Sequence, residues 1–390
     1  MRKILVFNGY YYPARKYGGP ATSLAHVIQA LGDQYAFHVI ARNHDVGDRN
    51  PFEDIHAGWN QVGQAQVLYL PDAEFSLVRY LEIIDELKPA IIWGCGMWSL
   101  NSAKLFRAAH RLGIATLMSP RGALNPLAVR YKWHKKIPFL LMVRALGFYR
   151  NSFFHVTGAD EFYGATKYLG IDKSRIFQIP NLSVPAEVEL DLPKEKGRIR
   201  IAYLSRISPT KNLLFALECL QKCRGEIQFD IYGPVEDRQY WEKCQTKIAE
   251  FPNRVEIRYK GIVSAEEVVG TFAHYHCAFL PTLTENYGHA IVEAMQAGCW
   301  VILSRNTTPW DKIDGEAGYV LPLDRPGQFV ERIDALTEMD HAEYLSLRRK
   351  CLGFIQKELN SGELRSKYLE MFQKIQTESG QANESGFAQQ

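Results

Sequence analysis

The chain has 390 residues, 46% of them hydrophobic and 23% charged, which is a globular composition long enough for two or three domains. Forty-six Lys and Arg face 43 Asp and Glu, and a net charge of +3 is too small a surplus for wrapping nucleic acid; any electrostatic partner must be met by a local patch. Seven cysteines, with no CxxC pair and no clustered histidines, fit a reducing cytosol and no zinc site.

The chain opens MRKILVFNGYYYP, where the apolar run Ile4 to Phe7 is too short for a signal-peptide core and reads with Lys3 as a strand. An amphipathic helix follows over Ala21 to Leu31, then a strand over Ala90 to Trp93 and a helix over Asn101 to Leu112. The apolar stretch Ile137 to Val143 stops at Arg144, too soon to span a bilayer, so the protein is expected to be soluble or at most bound to a membrane surface. Leu182 to Gly197 is rich in Pro and charge and suits a linker. A second cycle begins with a strand over Arg198 to Leu204, a polar turn over Ser205 to Asn212 and a helix over Leu213 to Cys223. Strands over Gln228 to Tyr232 and Cys277 to Leu280 continue it, and from Asp340 the chain reads helical to about Gln376.

This βα alternation builds parallel sheets with helices on both faces, and its restart after the linker implies two Rossmann-like halves. The expected division is a first domain 1–182, a linker 183–197, a second domain 198–355, a helix 356–376 able to cross back to the first domain, and a flexible tail 377–390. In such folds ligands bind beyond the carboxyl ends of strands and between paired domains.

Leu280 to Gly298 is the most informative segment. Phe279 and Leu280 end a strand, Pro281 to Tyr287 form a loop, and Ile291, Val292 and Met295 have the spacing of a helix that Gly298 can end. Gly288, His289 and Ala290 then fall at a helix amino terminus, which favours a phosphate or sugar oxygen. Glu285 in the loop and Glu293 in the helix are expected about 10 Å apart. That is wider than the ~5 Å between the carboxyls of a retaining glycosidase, and two handles on one elongated ligand fit better. The other reading makes Glu285 a complement to the helix dipole and Glu293 a solvated helix position.

Glu285-x7-Glu293, with its leader Leu280-Pro-Thr282 and inner Tyr287-Gly288, resembles the EX7E signature of the retaining family 4 glycosyltransferases of GT-B fold. Arg206-x4-Lys211 looks like the same family's diphosphate clamp. Ala297 to Ser304, Thr308-Pro-Trp310 and Tyr17-Gly-Gly-Pro20 also match the family's habit, and the resemblance runs from Lys3 to about Asp324. It implies an α/β GT-B fold, two Rossmann-like domains with a ligand cleft between them, and a hexose moved from a nucleotide diphosphate sugar such as a UDP- or GDP-sugar. The acceptor would be a saccharide or lipid-linked hydroxyl, in the making of surface polysaccharide, lipopolysaccharide or glycolipid. No cofactor beyond the donor substrate is implied, and no nucleic-acid partner.

The resemblance implies that Arg206 and Lys211 hold the diphosphate, that Glu285 touches donor-sugar hydroxyls, and that Glu293 accepts from the ribose. The backbone from Tyr287 through Gly288 and His289 to Ala290 would complete the cradle, and Val263 would sit where the base is read. Arg206 and Lys211 read by themselves are equally two surface cations. Gly18 and Gly19 follow the first strand, either to let phosphate approach the backbone or simply to turn the chain. The chain contains no DxD, so no aspartate-held metal is indicated, and cations take its place. The loop Ser119 to Pro126 departs from the histidine many relatives carry: Arg121 stands at that point, with Asn125 nearby, as candidates for an acceptor or donor-sugar contact.

From residue 87 to 159 there is no Asp or Glu, while eleven Lys and Arg occur. Arg130, Lys132, Trp133, Lys135 and Lys136 mix cations with an aromatic ring as membrane-surface segments do, so an anionic membrane face or acceptor is one reading and a solvated basic face the other. An epimerase or phosphorylase on the same architecture, or a non-catalytic sugar-nucleotide-binding subunit, are the rival functions. These motifs leave the base, the sugar, the acceptor and the oligomeric state open.

Overall fold

Ile4 to Phe7 form an unbroken apolar run, which suits a strand covered on both faces. In the computed structural model, which describes residues 1–130, 133–184, 191–359 and 361–387, they are the buried centre of strand β1 (Arg2–Asn8). The chain divides into two units, Met1–Ser183 together with the chain from Ser361 onward, and Val184–Asn360.

The first unit holds β1, β2 (Tyr35–Arg42), β3 (Trp59–Val62), β4 (Ala65–Leu70), β5 (Ile91–Cys95), β6 (Ala115–Ser119), β7 (Phe153–Val156) and β8 (Ile176–Gln178) in the order β3-β4-β2-β1-β5-β6-β7-β8. All pairings are parallel except β3 with β4. Its helices are α1 (Gly19–Leu31), α2 (Leu77–Leu87), α3 (Leu100–Arg111), α4 (Pro126–Arg130), α5 (Trp133–Ala145) and α6 (Ala159–Gly164). Because successive strand side chains alternate, Leu5 and Phe7 join one buried cluster with Tyr80 and Phe106, while Ile4 and Val6 join another with Leu24 and Val27.

The second unit is a wholly parallel sheet, β9 (Arg198–Leu204), β10 (Glu226–Tyr232), β11 (Val255–Gly261), β12 (Cys277–Leu280), β13 (Trp300–Ser304) and β14 (Gly318–Leu321), ordered β11-β10-β9-β12-β13-β14. Helices α7 (Leu213–Leu220), α8 (Arg238–Ile248), α9 (Val268–Phe272), α10 (His289–Gln296), α11 (Pro326–Glu338) and α12 (His341–Glu358) cover it. Residues 185–190 of the expected linker lie outside the described residues. Lys194 is already docked on this unit, its Nζ donating to the carbonyls of Glu195, Thr337 and Met339 at 2.8, 2.9 and 3.0 Å, where it caps the end of α11.

The helical run expected from Asp340 is two helices. Asp340 opens α12 with a reciprocal capping box to Glu343. Then α13 (Ser361–Phe387) belongs to the first unit, where Phe372 sets its ring edge-on against Tyr35 and Trp93 at 5.3 and 5.7 Å. It continues as helix past residue 377, where the sequence reading places a flexible tail. Among the described residues no helix is long and apolar enough to cross a membrane, and all seven cysteines are free and buried.

Candidate active site

At the carboxyl edge of the second sheet the loops after β9, β10 and β12 are tied together. Gly233, just past β10, has φ 129°, and a Cβ there would lie 2.0 Å from the Ser205 carbonyl oxygen, so only glycine lets these loops run side by side. Ile207 bridges Val235 in parallel, and the Ile207 amide donates to the Pro234 carbonyl at 2.9 Å. The chain then makes one 3-10 turn, Pro209–Lys211, closed by Asn212 at φ 58°. The Thr210 carbonyl accepts from the Leu283 amide at 2.9 Å and from the Thr282 hydroxyl at 3.1 Å, which fastens this turn to the loop after β12.

That stitching brings the Lys211 ammonium onto the Glu285 carboxylate in an ion pair. Glu285 is also fixed by its backbone, whose amide donates to the Thr307 carbonyl at 2.7 Å. Gly288 precedes α10 at φ 81°, and a Cβ on it would meet Ile291 Cδ1 at 2.7 Å and Glu285 Cγ at 3.1 Å. The sequence therefore needs glycine there twice over, for its backbone angle and for the carboxylate beside it. The Tyr287 ring lies 4.8 Å from that of His289, and the Trp310 indole donates to the Tyr287 carbonyl at 2.5 Å. The opening amides of α10, at His289 and Ala290, thus sit beside a lysine and a glutamate, an arrangement able to bind an anion bearing hydroxyls.

Glu293 lies over a turn further along α10 and is 8% exposed. Burial pushes its carboxyl from the ordinary 4.5 up to about 8. It is not the solvated helix position that one reading of the sequence allowed.

Arg206 pairs with a different carboxylate from Lys211. It is half exposed, and its Nη1 donates to both carboxylate oxygens of Glu236 at 2.8 and 2.9 Å. Glu236 is a residue that sequence reasoning misses, because only the turn at Gly233 and the Ile207 bridge carry it there. Val263, on the loop after β11, is partly buried against the core of this unit.

In the first unit, Gly18 has φ 67° and precedes α1, whose first turn carries no acidic residue. Arg121, after β6, is left-handed at φ 55°, and its Nη1 donates to Asn181 Oδ1 at 2.5 Å. The next amide, Gly122, donates to the buried Glu161 carboxylate, which also accepts from the Thr157 amide at 3.0 Å. Asn125 donates to Asp160 at 3.0 Å. Nothing in the sequence singles out Asn8, at the end of β1, and the Tyr17-Gly-Gly-Pro20 motif gives no sign that burial pushes the Tyr17 phenol up to about 12.

Of the basic segment, Lys132 lies outside the described residues. Arg130 and Lys135 are exposed, and Trp133 is 63% exposed, in company with exposed Leu141 and Leu146. Lys136 turns inward: its ammonium donates to the Ala128 carbonyl at 2.5 Å and lies 5.4 Å from the Trp98 ring centre.

Residues 187–351 match the model of the family described as glycosyl transferases group 1. No curated protein matches the chain by sequence. Among solved structures, HepE (Alr3699) of Anabaena, crystallised with UDP and glucose, superposes with a TM-score of 0.70 at 13% identity, over 96% of this chain and 100% of that one. Sucrose-phosphate synthase of Thermosynechococcus elongatus gives 0.69 at 16% identity over 100% of both chains. TarM of S. aureus, solved with fondaparinux, α-GlcNAc-glycerol and UDP, gives 0.65 at 13% over 95% of this chain and 100% of its own. Likeness at such low identity shows fold alone, and the fold is the two-domain, Rossmann-like GT-B fold.

Proposed function

We propose that this protein is a retaining glycosyltransferase that moves a hexose from a nucleotide diphosphate sugar to a hydroxyl of a saccharide or lipid-linked acceptor. The observation that carries the reading is the Lys211–Glu285 ion pair beside the amino end of α10, inside the segment matched by the family model. Two of the similar structures were solved with UDP, and HepE was also solved with UDP-glucose, which favours a uridine donor.

In this reading the donor diphosphate lies against Lys211 and the opening amides of α10, Glu285 accepts hydroxyls of the transferred sugar, and Glu293 accepts the ribose hydroxyls. The bond between the anomeric carbon and the diphosphate oxygen breaks, and its electron pair stays on the phosphate. The acceptor oxygen bonds to the same face of that carbon, and the acceptor's proton passes to the leaving phosphate oxygen. Charge grows on the diphosphate as the bond stretches, so fixed donors and cations aimed at it supply the main stabilisation, without any call on a metal. Arg206 joins them by exchanging the Glu236 carboxylate for phosphate, which its fork geometry suits better than a lysine would.

We place the enzyme in the cytoplasm with α5 against an anionic membrane face. Trp133, Leu141 and Leu146 are exposed there among Arg130, Lys135 and Arg144, a mixture that inserts rings and chains while cations meet headgroups.

Incubation with UDP-, GDP- and ADP-hexoses, with mass spectrometry of the released diphosphate and NMR of the product's anomeric proton, tests the reading. Release of a nucleoside diphosphate with transfer at unchanged anomeric configuration is expected. Inverted product, or binding of every donor without any release, contradicts it.

A further inference from the structure

Strands β1, β5 and β6 lie side by side, and their register sets Asn8, Cys95 and Ser119 in one row at the carboxyl edge of the first sheet. Asn8 is 0% exposed, and neither its Oδ1 nor its Nδ2 has a hydrogen-bond partner. Arg121 stands two residues beyond Ser119, its guanidinium 5.7 Å from the Trp93 ring centre and close enough to Cys95 to oppose the rise that burial forces on that thiol. The partly buried Tyr17 phenol feels both Cys95 and Arg121. One end of the guanidinium is engaged by Asn181 and the group also reaches the Cys95 thiol, a weak acceptor, while Nε and Nη2 are buried with no oxygen or nitrogen partner. Among the described residues no carboxylate forms an ion pair with Arg121, and the nearby Glu161 carboxylate is taken up by Gly122 and Thr157.

Nε and Nη2 are the two parallel donors along one edge of a guanidinium, the edge that grips both oxygens of a carboxylate or two of a phosphate. A withdrawn cation with two open donors is costly unless an anion completes it, and an amide with neither atom satisfied is costly for the same reason. A ligand carrying an oxyanion flanked by a hydroxyl answers both, since the Asn8 Nδ2 donates to the anion and its Oδ1 accepts the hydroxyl.

We propose that Arg121 and Asn8 form a subsite of the first unit for an oxyanion on the acceptor saccharide, a carboxylate or a phosphate, so that the acceptor is an acidic sugar. The proposal rests on the glycosyl-transfer reading for the word acceptor, but the anion subsite does not.

Calorimetric titration of the full chain with D-glucuronate, D-glucose 6-phosphate, D-glucose and UDP tests it. At least one of the two anionic sugars is expected to bind about tenfold or more tightly than glucose, and which one identifies the oxyanion. Arg121→Gln and Asn8→Asp each remove that preference, and Arg121→Lys keeps only part of it because the fork is gone. UDP affinity stays within about twofold in all three variants, and an unchanged melting temperature reports that they are folded. Equal binding of glucose and both anions while UDP binds normally overturns the subsite and leaves the transfer reading intact. Loss of UDP binding in Arg121→Lys, with the melting temperature unchanged, also overturns it, because the fork would then serve the donor. Anion preference in a wild-type protein that ignores UDP and every other nucleotide sugar supports the subsite and defeats the transfer reading.

Discussion

Lys211 and Glu285, 74 residues apart in sequence, form a part-buried ion pair between the loops that follow β9 and β12. The pair is held by the backbone: the Thr210 carbonyl receives both Thr282 and Leu283, so neither partner is a loose surface side chain. A lysine neutralised by a carboxylate is a stored cation. In the proposed function a diphosphate at α10 would gain it without desolvating a free ammonium, and Glu285 would be released towards sugar hydroxyls.

Arg206 and Glu236 form a second pair of a different kind, about half exposed on both sides. Such pairs are worth only about 0–1 kcal/mol, so the proposed exchange of Glu236 for phosphate would be cheap. Glu236→Gln is expected to tighten UDP by up to about fivefold, and Arg206→Ala to lower donor turnover on the order of 100-fold. Titration and initial rates check both; weaker UDP binding in Glu236→Gln would contradict the exchange.

Glu293 titrates near 8 in the folded protein because it is buried. Its folded value lies above its unfolded one, so its contribution to stability is full below pH 4.5 and is lost as the pH rises through 8. Ribose hydroxyls donating to it favour the carboxylate, so UDP binding at pH 7 is expected to expel about one proton. Calorimetry in two buffers of different ionisation heat reads this directly. Wild-type heats that do not depend on the buffer would contradict the assignment, and Glu293→Gln is expected to remove the dependence.

His155 is pushed down to about 3, first by burial and then by the charge of Arg121. It bridges Ser119 at 2.9 Å and the Ile179 carbonyl at 3.0 Å, and the Tyr368 hydroxyl of α13 reaches it at 3.1 Å. The unfolded chain takes up this proton near pH 6.5 and the folded one does not, so stability present above 6.5 falls away as the solution is acidified towards 3. Between pH 6.5 and 5 the loss is about 2 kcal/mol from this group alone. Urea unfolding at both pH values is expected to show a smaller difference for His155→Gln; an unchanged difference would mean that the ring is charged in the fold.

The parts of the fold that are legible in the sequence are those decided locally. Ile4 to Phe7 becomes a central strand because an unbroken apolar run needs cover on both faces, and Arg198 to Leu204 becomes one through its β-rich apolar positions Ile199 and Ile201 to Leu204. The place of Gly288 before α10 follows equally from the loop and helix pattern. What escapes is set by contacts distant in sequence. Glu236 reaches Arg206 only through the turn at Gly233, Lys136 is drawn from the surface by Trp98, and Asn8 acquires its neighbours from the register of β1 with β5. The carboxylate partners of Arg206 and Lys211, Glu236 and Glu285, are likewise set by contacts distant in sequence.

The most direct test of the central claim is donor turnover in Lys211→Ala, measured as nucleoside diphosphate released from the preferred donor. Loss on the order of 100-fold, about 3 kcal/mol of barrier, with a normal melting temperature is the expected result. Turnover equal to that of the wild type would show that no leaving phosphate is stabilised there, and the proposed site would be wrong.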